Sequence, residues 1–286
     1  MERKLEFKDK FEQLTLEELN ATCKIKNADG KHIVEPQKVF TDVIDLIKQN
    51  EIVYDLRPII AKGGQHALYN TDLIPYVGEN NIKAYTLLRT SGIITFPALQ
   101  DDETTMQIRI DVSERGITMA TGKLVLVCTN GMTAFKEDLL STYGSSKIQY
   151  EQALGLVENW IHKMPETNKK YNELIVGLKN TKVNKDAVNN MLGKLLYQAV
   201  DANRPGNNFI SPLNVSQVSA FTNAYIEKDD DSEINNGWDL YNLGTNLLKH
   251  DNMDMTIIAE RNFAFTNFML KDFGLNVSDA RIVSEF

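Results

Sequence analysis

The period of the hydrophobic pattern changes once along this chain, from two to about three and a half, and the change divides it into a strand-rich half and a helical half. Met106, Ile108, Ile110 and Val112 alternate with Gln107, Arg109 and Asp111, which predicts a strand with one apolar and one wet face. Ser113-Glu114-Arg115-Gly116 supplies a hairpin turn with glycine placed for a positive φ, and Ile117 and Met119 resume the alternation on the return. The stretch Lys123 to Met132, KLVLVCTNGM, is apolar on both faces from Leu124 to Cys128 and then turns polar. It predicts a strand covered on both sides that stops at a tight turn, with Asn130 and Gly131 as turn residues. Earlier in the chain, Tyr85 to Phe96 reads as two short strands joined at Ser91-Gly92. Ile52 to Ile60 reads as an edge strand or extended connection, because Pro58 cannot donate to a ladder. Pro36 to Gln49 reads as a helix whose Val39, Phe40, Val43, Ile44 and Ile47 pack on the sheet.

From Ser146 onwards the helical period takes over. Ala153, Leu154, Leu156, Val157, Trp160, Ile161 and Met164 predict a helix ending before Pro165, and Tyr171, Leu174, Ile175 and Leu178 a second. Asn184 suits the cap of a third, with Val188, Met191, Leu192, Leu195, Leu196 and Ala199 on its buried side. The run from Asn203 to Asn208 is a loop, and Ser211-Pro212 has the chemistry of a helix start, continued by Val215, Val218, Phe221 and Tyr225. Lys228 to Glu233, KDDDSE, reads as a solvated acidic loop. Helices follow over Trp238 to Lys249 and Met255 to Leu270, the last carrying Phe263, Phe265, Phe268 and Met269. The pattern predicts an α+β protein. Residues 1–145 form a mainly antiparallel sheet with one or two packed helices, and residues 146–286 form a C-terminal helical region.

Composition narrows the function classes. With 42% hydrophobic and 24% charged residues the chain is of globular type, and no run approaches the ~18 apolar residues of a membrane span. The charged start MERKLEFKDKFEQL has no apolar core of a secretory signal. Cys23 and Cys128 do not make a disulfide framework, which fits a cytoplasmic product. A net charge of −8 repels nucleic acid on average. It leaves room for a local basic groove and suits a protein that binds another protein.

Catalytic and metal motifs fail on spacing. His32, His66, His162 and His250 lie far apart with no H-E-x-x-H or C-x-x-C. Asp229-Asp230-Asp231-Ser232-Glu233 begins like a calcium loop but has Ile234 where the sharp turn needs glycine and Leu240 where a bidentate glutamate belongs. Lys62-Gly63-Gly64-Gln65-His66 lacks the phosphate-loop spacing and reads as a turn. Cys128 falls in an apolar run that keeps a thiol inert, no G-x-S-x-G elbow is present, and Gly144-Ser145-Ser146 suits a helix cap. No catalytic residue, metal or cofactor is expected, and the chain reads as a non-enzyme. For a protein partner the expected contact is Asp229, Asp230, Asp231 and Glu233 beside the aromatic anchor Trp238. For nucleic acid it is Lys179, Lys182 and Lys185, with Lys169-Lys170, Arg3 and Lys4, and with Tyr143, Tyr150, Trp238 and Tyr241 available to stack bases. Acids interleave with these bases throughout.

At Val127-Cys128-Thr129-Asn130-Gly131, and again at Asn236-Gly237-Trp238-Asp239-Leu240-Tyr241-Asn242, the sequence resembles a group of uncharacterised phage- and plasmid-like proteins. Those proteins carry a VCTNG-like strand end in mid-chain and a later helix similar to W-x-L-Y-N, followed by an aromatic-rich helical segment, here Asn262 to Phe268. This chain departs from them at Met132 to Glu137, where a basic or histidine-bearing stretch is common. The resemblance implies an origin in a bacteriophage or mobile element and brings no reaction with it. Two functions are expected on this basis. The first is a non-enzymatic accessory protein in the cytoplasm of the infected bacterial host that binds and inhibits a host protein, such as a nucleic-acid-handling antiviral defence complex. The alternative is a DNA-binding protein of phage replication or recombination. Neither involves a membrane, and both are compatible with a homo-oligomer.

Overall fold

The structure, a computed structural model, describes residues 11–19, 23–26, 33–63, 76–77, 83–113, 116–126, 131–132, 139–143, 147–207, 209–230, 234–248 and 255–275. The fold is α+β. Its strands are Phe11–Leu14 (β1), Cys23–Lys26 (β2), Ile33–Val34 (β3), Asp55–Leu56 (β4), Ile59–Gly63 (β5), Tyr76–Val77 (β6), Lys83–Phe96 (β7), Thr104–Ser113 (β8), Gly116–Val125 (β9), Gly131–Met132 (β10) and Leu139–Tyr143 (β11). The hydrogen-bonded path runs β1-β5-β7-β8-β9-β10, with β11 beside β9 and with β2, β4 and β6 beside β7. Strand β1 with β5, β10 with β9, β2 with β3, and β4, β5 and β6 with β7 pair antiparallel, whereas β2 pairs with β7 in parallel. The described helices are Pro36–Gln49 (α1), Lys147–Asn180 (α2), Lys185–Asp201 (α3), Val215–Asp230 (α4), Gly237–Asn246 (α5) and Met255–Asp272 (α6). The chain divides into two compact units of three segments each. One contains Met1–Ala98, Gln107–Thr121 and Leu140–Lys163, the other Leu99–Met106, Gly122–Leu139 and Met164–Phe286.

In the first unit α1 follows its apolar stripe. Pro36 opens it, and Val39, Phe40, Val43, Ile44 and Ile47 are all buried. The ring of Phe40 lies against Gly92, where a Cβ would come within 2.5 Å of Phe40 Cε1 and 3.3 Å of Ile59 Cγ1. Ser91-Gly92 is therefore not a junction between two strands. Strand β7 runs unbroken for 14 residues, and its glycine marks the point where a helix side chain approaches the sheet backbone. The segment after α1 is extended as expected, with Asp55 and Leu56 paired to β7 and Arg57 N–H donating to Ile93 O at 3.0 Å. Beyond Pro58, however, Ile59 and Ile60 enter β5, which lies between β1 and β7 and is no edge strand.

Strand β8 departs from the one-wet-face expectation. Gln107, Asp111 and Ser113 are buried like the apolar positions between them, and only Arg109 keeps intermediate exposure. Here alternation marks polarity rather than solvent contact. Polar groups on that face meet one another, as where Arg89 Nε donates to Asp111 Oδ1 at 3.2 Å. The hairpin glycine is as expected, Gly116 taking φ 136°.

In the second unit, strand β9 ends at Val125 and Gly131–Met132 folds back on it, Gly131 opposite Leu124 and Met132 opposite Lys123. Gly131 thus stands in the return strand, and Val127 to Asn130 lie outside the described residues. So do Gly64 to His66, Asp231 to Glu233, His32, His250, Gly144 to Ser146 and the N-terminal bases.

Helix α2 overrides the expected stop at Pro165, running 34 residues with the proline inside it. A proline removes one helical hydrogen bond and costs roughly 3 kcal/mol. Burial of Val157, Trp160, Ile161 and Met164 before it and of Tyr171, Leu174, Ile175 and Leu178 after it holds the helix. Asn184 caps α3 as expected, its side chain accepting from Ala187 N–H at 2.8 Å. Helix α4 begins three residues later than Pro212, because Asn214 and not Ser211 makes the cap. Asn214 Oδ1 accepts from Gln217 N–H, and Gln217 Oε1 accepts from Asn214 N–H. The Ser211 hydroxyl donates instead to Leu213 O. At its other end α4 continues to Asp230, so Lys228, Asp229 and Asp230 close a helix rather than open a loop. Among the described residues no helix is long and apolar enough to cross a membrane.

Candidate interaction surface

The expected partner contact is divided by the structure. The backbone of Asp229 and Asp230 ends α4, whereas Asp231 and Glu233 lie outside the described residues. Trp238 is 4% exposed. Its ring stacks on Tyr241 at 5.5 Å, and its indole N–H donates to Glu103 Oε2 at 3.0 Å. An aromatic enclosed in this way fastens α5 to its own fold and is not presented to a partner. The local reason is the sequence around it: Asn236 accepts from the N–H groups of Trp238 and Asp239, and Asp239 accepts from Asn236 N–H, a full capping box that fixes the first turn of α5.

The lysines and aromatics of the nucleic-acid expectation fare similarly. Lys179 Nζ lies 2.8 Å from Glu103 Oε1. Lys182 is exposed in the turn before α3, bridged through its backbone to Asn236, and Lys185 is the first residue of α3. Lys170 pairs with Glu166 at 3.0 Å. Tyr241 is buried with its hydroxyl on Thr266, and the Tyr150 hydroxyl donates to Asp42 at 2.6 Å. Burial, together with that bond, pushes the Tyr150 phenol above its ordinary range.

Glu103 belongs to a polar cluster that spacing does not reveal. Asp101 accepts from Thr104 N–H at 2.6 Å, from the Thr104 hydroxyl at 2.7 Å and from Lys123 Nζ at 3.3 Å. Burial pushes the Asp101 carboxyl up, and its bonds from Thr104 and Glu103, with the Lys123 charge, outweigh that and hold it below 3.8. The Lys123 side chain is 0% exposed. Burial pulls its ammonium below its ordinary 10.5, with Asp101 opposing. Every acid of this cluster is paired, so it serves as a fastening within the second unit. Among the described residues no three His, Cys, Asp or Glu side chains gather as metal ligands.

Among the described residues, one group of exposed apolar side chains lies on the far side of α3. This helix carries two apolar stripes: Val188, Met191, Leu192, Leu195 and Ala199 are buried, whereas Leu196, Tyr197 and Val200 are 43%, 64% and 46% exposed. Leu196 thus lies on the outer side rather than on the buried one where periodicity placed it. With Gly193, these residues fall at i, i+3, i+4 and i+7, one helical face. A Cβ at Gly193 would meet nothing within 4 Å. Mid-helix glycine costs about 1 kcal/mol relative to alanine, and no internal contact requires it. A groove of about 830 Å³ adjoins this face, lined by Asn190, Gly193 and Tyr197 of α3 and by Phe268 and Lys271 of α6. Lys194 on its rim is paired with Asp272. Tyr197 and Val200 were missed in the sequence; the available signal was a helix whose apolar residues exceed one face.

Comparisons of the chain with protein-family models, with curated proteins and with solved structures give no match.

Proposed function

We propose that this chain is a non-enzymatic accessory protein of a bacteriophage or other mobile element that binds and blocks a host protein in the host cytoplasm. The target class is a nucleic-acid-handling antiviral defence complex, for which the net charge of −8 provides electrostatic steering toward a basic surface. The observation that carries the reading is the second apolar stripe of α3 beside its groove. The occupant is a host helix with an apolar face, seated so that Gly193 admits close backbone approach and Tyr197 acts as the anchor. Leu196 and Val200 are already about half covered, so burying the remainder contributes roughly 0.7–1.5 kcal/mol each, about half of the value for full burial. That offsets only part of the cost of association, so the contact must extend beyond α3.

The test is capture of a defence protein from defended host lysate by the wild-type chain and by Leu196→Asp/Tyr197→Asp. Capture by the wild type and loss by at least tenfold in the variant, at unchanged melting temperature, is the expected outcome. Failure to enrich any defence protein, or equal capture by both, overturns the reading. A gel shift with DNA that weakens as salt rises and ignores the α3 substitutions would replace it with the DNA-binding alternative.

A further inference from the structure

The groove beside the outer face of α3 carries a charge opposite to that of the chain as a whole. Its lining includes two cations, Lys194 and Lys271, and one carboxylate, Asp272. Lys194 is paired with Asp272, and Lys271 makes no ion pair among the described residues. The lining therefore keeps one uncompensated positive charge in a chain of net charge −8. On the α3 wall, the carboxamides of Asn189, Asn190 and Gln198 make no hydrogen bond among the described residues, so their N–H groups are available as donors. Leu196 and Val200 are not part of the lining. Helix α3 thus offers an apolar strip and, beside it, a polar and cationic flank toward α6. Exposed charges act over about 8 Å at physiological ionic strength. At contact the groove therefore outweighs the distant surface acids, which act on the direction of approach.

We propose that the helix docked on α3 carries a carboxylate on the flank that turns toward α6, taken by Lys271 with the α3 carboxamides donating beside it. Resting on the docking reading, this narrows the partner to an amphipathic helix with an acidic edge, whereas the net charge alone would favour a basic one. Leu196, Tyr197 and Val200 supply attachment, and Lys271 supplies selection between partners.

Fluorescence anisotropy of two fluorescein-labelled helical peptides, titrated with the full chain, tests it. Both peptides have the same face of leucine and alanine; one carries glutamates along one flank, and the other carries lysines at the same positions. At ~0.15 M salt the glutamate peptide should bind about fivefold more tightly, an order opposite to the one that the net charge alone would give. Lys271→Glu should reverse the order, and the milder Lys271→Gln should bring the two affinities together. Leu196→Asp/Tyr197→Asp should abolish binding of both peptides. Lys271 also lies in the last turn of α6, where a cation complements the helix dipole. That role by itself would lower the melting temperature of Lys271→Glu and leave the peptide order unchanged. Equal binding of the two peptides, tighter binding of the lysine peptide, or an order that Lys271→Glu does not change overturns the acidic edge; if the α3 variant still loses both peptides, the docking face stands. Binding of neither peptide, or binding that the α3 variant retains, overturns the acidic edge together with helix capture by α3.

Discussion

Gly92→Ala tests the packing of α1 on the sheet at its tightest point. The added Cβ would stand 2.5 Å from Phe40 Cε1 and 2.9 Å from Cζ, against an ordinary contact of at least 3.4 Å. Phe40 is fully buried, so its ring has no open space into which to move. Overpacking of this kind costs roughly 1–3 kcal/mol. Alanine also restricts the unfolded chain, returning about 0.4–1 kcal/mol. The net loss is therefore roughly 0–2.6 kcal/mol, centred a little above 1 kcal/mol, or on the order of 3–5 °C in melting temperature at that centre for a chain of this size. Thermal and urea unfolding followed by circular dichroism would measure it. The cause is isolated by Phe40→Leu, which removes the ring atoms in the way. In the double variant the two losses should fall short of additivity by at least about 0.5 kcal/mol. A Gly92→Ala chain that melts at or above wild type, or losses that simply add, would show that the ring does not lie over this glycine.

Four further outcomes follow from the other contacts. In a Trp160→Phe background, Trp238 should emit at short wavelength and resist iodide quenching, since it is enclosed against Tyr241 and Glu103; red-shifted, readily quenched emission would mean that it is presented to solvent. Pro165→Ala should raise the melting temperature by restoring an interior hydrogen bond of α2 at an exposed position, and a lower value would contradict the continuous helix. Asp101, with its folded pKa below 3.8, contributes stability that is complete above that value and lost as pH falls through the folded pKa. Asp101→Asn should therefore flatten the acid limb of a stability–pH curve, and an unaltered limb would remove Asp101 as a contributor. Tyr150→Phe loses the bond to Asp42 and should cost about 1 kcal/mol; no loss in urea unfolding would show that bond to be unimportant.

The residues explain which parts of this fold were legible. Helix α1 was readable to its ends because one strong stripe and a terminal proline agree. Pro165 misled because a local rule was outweighed by apolar burial on both sides of it, and Ser91-Gly92 misled because glycine serves close approach as well as turns. On β8, alternation of polarity was visible, but whether the polar face meets water depends on the partners of Asp111, and Arg89 is 22 residues away. Asn236 and Asp239 have a capping role that their spacing already allows. On α3 the single expected stripe absorbed Leu196 and concealed the outer one. Trp238 beside acids suits an interface anchor, and the same chemistry suits the interior contact with Glu103.

The proposed function meets its most direct test in plaque formation on a host carrying a defence system, with the wild-type chain or Leu196→Asp/Tyr197→Asp supplied from a plasmid. The wild-type chain should restore plaque formation by a defence-sensitive phage, and the variant, equally folded and equally abundant, should not. No restoration on any defended host, or equal restoration by the variant, would contradict inhibition of a host protein through the outer face of α3.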